Sequence, residues 1–122
     1  MALALVIDDS RQFTEAVCQM LSLYNIEARG ALGPREAILA LEHNKAPDIV
    51  FVDINMPGID GFEVMAYLRR EPHLARVPMV VVTSDDQKET ITRSRRAGAM
   101  DFILKPVTLE ALERALKKAR LI

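Results

Sequence analysis

The sequence predicts an α/β domain in which a parallel five-stranded sheet carries helices on both faces. Two observations predict it. Three short apolar runs, at 3–7, 49–52 and 77–82, have no charged interruption and are rich in β-branched residues, the habit of strands buried on both sides in a parallel sheet. Helical spacing occupies the segments between them, so that strand and helix alternate along the chain.

The elements follow in order. The run at 3–7 is the first strand. Phe13, Val17, Met20, Leu21 and Tyr24 then fall on one stripe of a helix. Asp9 or Ser10 could cap it. A weaker strand candidate, 26–30, precedes Gly33-Pro34, and a proline suits a first helical turn whose apolar face is Ala37, Ile38 and Leu41. The third strand is 49–52. The loop "DINMPGIDG" after it is rich in turn residues, and Asp60-Gly-Phe-Glu63 reads as a capping box for a helix that ends near Arg70, before Pro72. The fourth strand is 77–82. The segment 87–97, "QKETITRSRRA", has Ile91 and Ala97 as its apolar residues and Gly98 as its C-terminal cap. Such a helix is weakly held and exposed. A second weak strand, 101–104, leads to a last helix capped by Thr108, with Leu109, Leu112, Leu116 and Ala119 as its stripe.

The bulk properties narrow the function. At 122 residues, half of them apolar, the chain suits one domain, residues 1–122, with a core that needs no disulfide. A net charge of −1 argues against binding nucleic acid through bulk charge. Cys18, the single cysteine, cannot form an internal disulfide and reads as a small buried hydrophobe. No apolar run nears the ~20 residues that span a bilayer, and the start lacks a signal-peptide pattern. The expectation is a cytoplasmic protein. His43 and His73 read as surface residues near helix ends.

Function gathers outside the carboxyl ends of strands in an open parallel sheet. Asp8 and Asp9 stand after the first strand, Asp53 after the third, Thr83 and Ser84 after the fourth, and Lys105-Pro106 after the fifth. Taken singly, each has a plain structural role: Thr83, Ser84 or Asp85 can cap a helix, and Lys105 can reach the surface. Together they fit one chemistry. Clustered carboxylates need a cation, and oxygen ligands select Mg²⁺. Asp53 is then the candidate nucleophile for an acyl phosphate, with Lys105, Thr83 and the metal neutralising the phosphoryl oxygens.

"VIDDS", "FVDINMPGIDG", "VVVTS" and "FILKP" jointly resemble the receiver domain of two-component response regulators, over essentially the whole chain. The resemblance implies a flavodoxin-like (βα)₅ fold with strand order 2-1-3-4-5. It implies Asp53 as phosphoacceptor, and Asp8, Asp9, Asp53 and the backbone carbonyl of Asn55 as the Mg²⁺ site. Thr83 would be the switch hydroxyl, Lys105 the phosphate-binding lysine in a cis Lys105-Pro106 pair, and Phe102 the aromatic switch residue where many members carry Tyr. Phe102 also reads as an ordinary packing residue of the fifth strand. Asn55 and Asp85 would border the path of the attacking water and tune phosphate lifetime.

The implied partners are a sensor histidine kinase or phosphotransfer protein and a downstream target or effector domain, with neither nucleic acid nor membrane bound directly. The face of the fourth helix, fifth strand and fifth helix is the expected switching surface and the expected surface for a homodimer. The domain would act on its own phosphorylation and dephosphorylation without being an enzyme toward other substrates.

Three rivals fit less well. An aspartyl-phosphate phosphatase of the haloacid-dehalogenase type carries a second Asp two residues after its nucleophile, where this chain has Asn55. A flavodoxin-like cofactor binder needs a hydroxyl- and glycine-rich phosphate loop after the first strand, where this chain has Asp8 and Asp9. A receiver-like module that signals by binding alone would not need all five active residue types.

Overall fold

A computed structural model describes residues 1–122 except Pro57 and Ile59. The order is β1 (Leu3–Ile7), α1 (Arg11–Ser22), β2 (Glu27–Ala31), α2 (Pro34–His43), β3 (Ile49–Val52), α3 (Gly61–Arg70), β4 (Met79–Thr83), α4 (Lys88–Arg96), β5 (Asp101–Leu104) and α5 (Leu109–Lys118). Every strand pairing is parallel, and the sheet order is β2-β1-β3-β4-β5.

Strand alternation divides the core. Leu5, Ile7, Val50, Val52 and Val81 face α2 and α3, while Ala4, Val6, Ile49, Phe51, Val80, Val82 and Ile103 face α1 and α5. β1, β3 and β4 are covered on both sides, which explains their uninterrupted apolar runs. Edge strand β2 has one fully buried residue, Ala31. Its weak pattern in the sequence has that cause, and the strand lies one residue later than the 26–30 expected, with Leu3 opposite Glu27. β4 begins at Met79 because Pro78 has no N–H to donate; its carbonyl still accepts from Val50 N at 2.9 Å.

The helix caps are resolved by geometry. Ser10 Oγ accepts from Phe13 N at 3.2 Å, Asp60 Oδ1 from Glu63 N at 3.1 Å and Thr108 Oγ1 from Ala111 N at 3.1 Å. Ser10 is therefore the cap of α1, which leaves Asp9 free of that task. Pro34 takes the first turn of α2.

Two expectations of burial change. Leu109 is not part of the buried stripe of α5: it is 46% exposed at the first turn, and Ala115 joins Leu112 and Leu116 inside. Cys18 is half-buried rather than buried, at the margin of the α1 side of the core. Burial, and then the charge of Glu15, push its thiol pKa up. α4 buries Ser94, whose hydroxyl donates to Thr90 O at 2.7 Å, while Ile91 and Ala97 are only half-buried. The expected weak hold on α4 follows from that.

α4 is fastened mainly at its ends. Its C-terminus closes with Gly98 N to Arg95 O at 3.0 Å and Ala99 N to Ser94 O at 3.0 Å, the pair of bonds that a left-handed residue at Gly98, φ 101°, makes available. Arg69 reaches across from α3 and donates to Ala75 O, Val77 O and Gly98 O at 3.0, 3.0 and 3.1 Å. On the exposed flank, the Arg93 guanidinium lies 4.0 Å from the centre of the Phe62 ring. His43 and His73 are exposed, as expected.

Candidate functional site at the carboxyl edge of the sheet

Parallel pairing of β1, β3, β4 and β5 delivers the residues that follow them to one edge. Asp53 N donates to Ile7 O at 3.0 Å, and Lys105 N donates to Thr83 O at 2.9 Å. These bonds set the register in which Asp8, Asp53, Thr83 and Lys105 meet. Asp8, Asp53 and Thr83 are buried, at 1%, 6% and 0% exposure, while Asp9 is exposed.

Lys105 Nζ lies 2.7 Å from Asp8 Oδ2 and 3.1 Å from Asp53 Oδ2. The other oxygens are held by backbone: Asp8 Oδ1 accepts from Ser10 N at 2.9 Å, and Asp53 Oδ1 from Asn55 N at 3.0 Å. Burial works against the Lys105 ammonium. The bonds to Asp8 and Asp53 and their negative charge outweigh it, so the lysine pKa is raised above its ordinary value. A second contact holds the same ammonium: Nζ sits 4.2 Å from the centre of the Phe13 ring on α1.

Asp8, Asp9 and Asp53 each place a carboxylate oxygen so that the three atoms lie within 4.8 Å of one another. A donor set of carboxylate oxygens alone suits a hard divalent cation. Thr83 Oγ1 accepts from Asn55 Nδ2 at 3.2 Å and lies 3.4 Å from Asp85 N. The Asp85 carboxylate turns to the start of α4, accepting from Gln87 N at 3.0 Å and Thr90 Oγ1 at 2.8 Å. The chain from Asn55 through Thr83 and Asp85 thus links the buried carboxylates to the first turn of α4. Phe102 is half-buried against the α3 side of the core.

Residues 4–117 match the model of the response regulator receiver domain. The chain belongs to that family. Relatives of similar length include Protein PilH of Pseudomonas aeruginosa, 32% identical over 92% of this chain and 92% of its own. Response regulator PleD of Caulobacter vibrioides is 33% identical over 97% of this chain but only 26% of its own length, so the receiver unit also occurs inside longer regulators. The solved structure of the Vibrio cholerae chemotaxis protein CheY4 superposes with a TM-score of 0.90 at 27% identity, covering 98% of each chain. The receiver is a signalling domain of two-component systems with a flavodoxin-like fold, and the strand order 2-1-3-4-5 expected from the sequence is the observed one.

Of the seven expected site residues, Asp8, Asp9, Asp53, Asn55, Thr83 and Lys105 come to the one edge, while Phe102 lies within β5 against the core, and Lys105-Pro106 is a cis peptide. Pro57 and Ile59 of the turn-rich loop lie outside the described residues. The sequence reading missed two supporting residues. Phe13 reads as an ordinary member of the α1 stripe, and nothing in its spacing points to the lysine 92 positions later (105 − 13). Gly61 is the other. A Cβ there would meet Asp53 O and come within 2.7 Å of Ile54 Cα and 2.9 Å of Asp53 C. Only glycine lets α3 start against the backbone that carries Asp53, and its position one residue after the helix cap is the signal that could have raised the question. Among the described residues, no helix is long and apolar enough to cross a membrane.

Proposed function

We propose that residues 1–122 form one receiver domain in which Asp53 accepts a phosphoryl group from a histidine kinase or phosphotransfer protein, and that the resulting change is read by a downstream partner. The observation that carries this reading is the ammonium of Lys105 shared by two buried carboxylates, 2.7 Å from Asp8 and 3.1 Å from Asp53. A buried carboxylate beside a fixed cation and beside two further acids is a poised nucleophile next to a cation site.

In the transfer, an Asp53 oxygen forms a bond to phosphorus as the phosphorus–nitrogen bond of the donor phosphohistidine breaks. The imidazole leaves with that electron pair. Asp8, Asp9, Asp53 and the backbone carbonyl of Asn55 are the residues that would hold Mg²⁺, which supplies positive charge for the phosphoryl oxygens and screens the acids from them. Lys105 exchanges Asp53 Oδ2 for a phosphoryl oxygen with little displacement. The buried Thr83 hydroxyl is released from Asn55 Nδ2 and turns to another, and Phe102 moves into the space it leaves. Because Asp85 joins Thr83 to α4, that movement loosens a helix with few buried anchors. The same reading has the domain hydrolyse its own aspartyl phosphate, with Asn55 and Asp85 bordering the water, and turn over no other substrate.

Incubation with Mg²⁺ and acetyl phosphate tests it by intact mass. A phosphoryl adduct on the parent, absent from Asp53→Asn and abolished by EDTA, is expected. An adduct that survives in Asp53→Asn would refute the assignment. Failure of both acetyl phosphate and a beryllofluoride titration to alter the parent would favour a binding-only module. Homodimer formation through α4, β5 and α5 belongs to the same reading; sedimentation with and without beryllofluoride checks it, and an unchanged monomer refutes it. A cytoplasmic setting is checked by fractionation, with recovery in the membrane or secreted fraction refuting it.

A further inference from the structure

Phe13 lies on the face of α1 that turns inward, but at the end nearest the site, where it is only half-buried while Val17 and Leu21 below it are fully buried. Its ring packs against the margin of the core on the α1 side and leaves part of its surface outside it. It faces Lys105 Nζ at 4.2 Å, within the ~6 Å over which an aromatic face attracts an ammonium. Phe13 and Lys105 share the wall of an open groove of 480 Å³ with Ala16, Met20, Pro106 and Val107. The ring therefore approaches the ammonium from the α1 side, and the carboxylates of Asp8 and Asp53 take its other contacts.

These contacts differ in what the reaction does to them. The bonds to the acids are the ones that change as Asp53 becomes an acyl phosphate and Asp8 turns to a cation. The ring face carries no charge, titrates at no pH and takes part in no bond exchange. We propose that Phe13 is a positioning residue for Lys105: its ring holds the ammonium beside Asp53 while the carboxylate contacts exchange. The proposal rests on the phosphoacceptor reading for its consequence and on the 4.2 Å contact for its substance.

The test compares the parent with Phe13→Leu, which keeps an apolar side chain without a π face, and Phe13→Tyr, which keeps the face and can extend its hydroxyl into the groove. The first readout is the side-chain NMR signal of the Lys105 ε-methylene, which a ring at this distance shifts upfield. The shift is expected in the parent and in Phe13→Tyr and is expected to disappear in Phe13→Leu. The second is the rate of Asp53 phosphorylation by acetyl phosphate with Mg²⁺, expected to fall about two- to five-fold in Phe13→Leu and to be restored in Phe13→Tyr. Urea unfolding of each variant shows that the folded protein is being measured. An unshifted Lys105 signal in the parent, equal rates in all three proteins, or an equal fall in both variants overturns the proposal, the last because it marks packing rather than the π face. Absence of any adduct on the parent is instead a failure of the phosphoacceptor reading, and the Lys105 signal with its tyrosine rescue then decides the positioning role by itself.

Discussion

Lys105→Met keeps the length and the apolar stem of the side chain and removes the charge that Asp8 and Asp53 share. Both carboxylates are inside, with side-chain exposures of 1% and 7%, whereas Lys105 retains 20%. Removing one partner of a buried ion pair costs about 3–5 kcal/mol, because the other charge is left uncompensated. Two features move the expectation to the lower end. The lysine is partly solvated, which weakens its pairing. Each carboxylate also keeps a backbone donor, Ser10 N for Asp8 and Asn55 N for Asp53. We expect a loss of about 3 kcal/mol in urea unfolding with EDTA present. At ~2.1 cal/mol/K per residue, a 122-residue domain has an unfolding entropy near ~0.26 kcal/mol/K, so the Tm falls by about 12 °C. Mg²⁺ should then recover part of the difference. A ligand at 100 times its Kd adds about 2.7 kcal/mol to the folded state, and the variant, having lost its internal cation, should gain more from it than the parent does. A variant within about 0.5 kcal/mol of the parent in EDTA, or an identical Mg²⁺ increment in both, would refute the claim that Lys105 neutralises this pair.

Other substitutions probe the remaining supports. Asp9 is exposed and makes no ion pair among the described residues, so Asp9→Asn should leave stability in EDTA within about 0.5 kcal/mol while weakening Mg²⁺ binding about tenfold or more; calorimetric titration giving the parental Kd would remove Asp9 from the cation site. Gly61→Ala should cost about 1–3 kcal/mol in urea unfolding through contact with the Asp53 and Ile54 backbone, although alanine is otherwise the better helix residue; a stabilised variant would show that the close approach is relieved at no cost. Asp101 predicts a pH effect. Burial raises its carboxyl pKa, but the Arg114 and Phe102 N–H bonds and the charges of Arg114 and Lys118 outweigh it, so the folded value is depressed. Its contribution is then present above the unfolded pKa and lost as pH falls through the folded one. With Arg114 half exposed the contribution is about 1 kcal/mol. The stability gap between the parent and Asp101→Asn should be open at pH 6 and close in acid, and a gap that widens on acidification contradicts the assignment.

Much of this could be read along the chain because the signals were local. The uninterrupted runs of β1, β3 and β4 record burial on both faces of a sheet. Ser10, Asp60 and Thr108 sit where helix ends need an acceptor, and the acids, Thr83 and Lys105 follow strands whose parallel direction alone sends them to one edge. The resemblance to receivers added the strand order and the roles. Where an element was held by neighbours rather than by its own pattern, the reading slipped: the bounds of β2 by one residue because an edge strand buries little, and the stripe of α5 because Leu109, in its first turn, is left exposed.

What the sequence by itself determined is which residue types stand at which strand ends, and hence the chemistry open to them. Tertiary structure decided the partnerships: that Lys105 bridges Asp8 and Asp53 rather than reaching solvent, that Asp85 faces α4, that Phe13 lies beneath the ammonium, and that α3 starts too close to Asp53 for any side chain at Gly61. The reason is physical. Periodicity and capping act over a few residues and are written in neighbouring positions, whereas these contacts join residues far apart in sequence through distances of a few ångströms that only the packed sheet and its helices define.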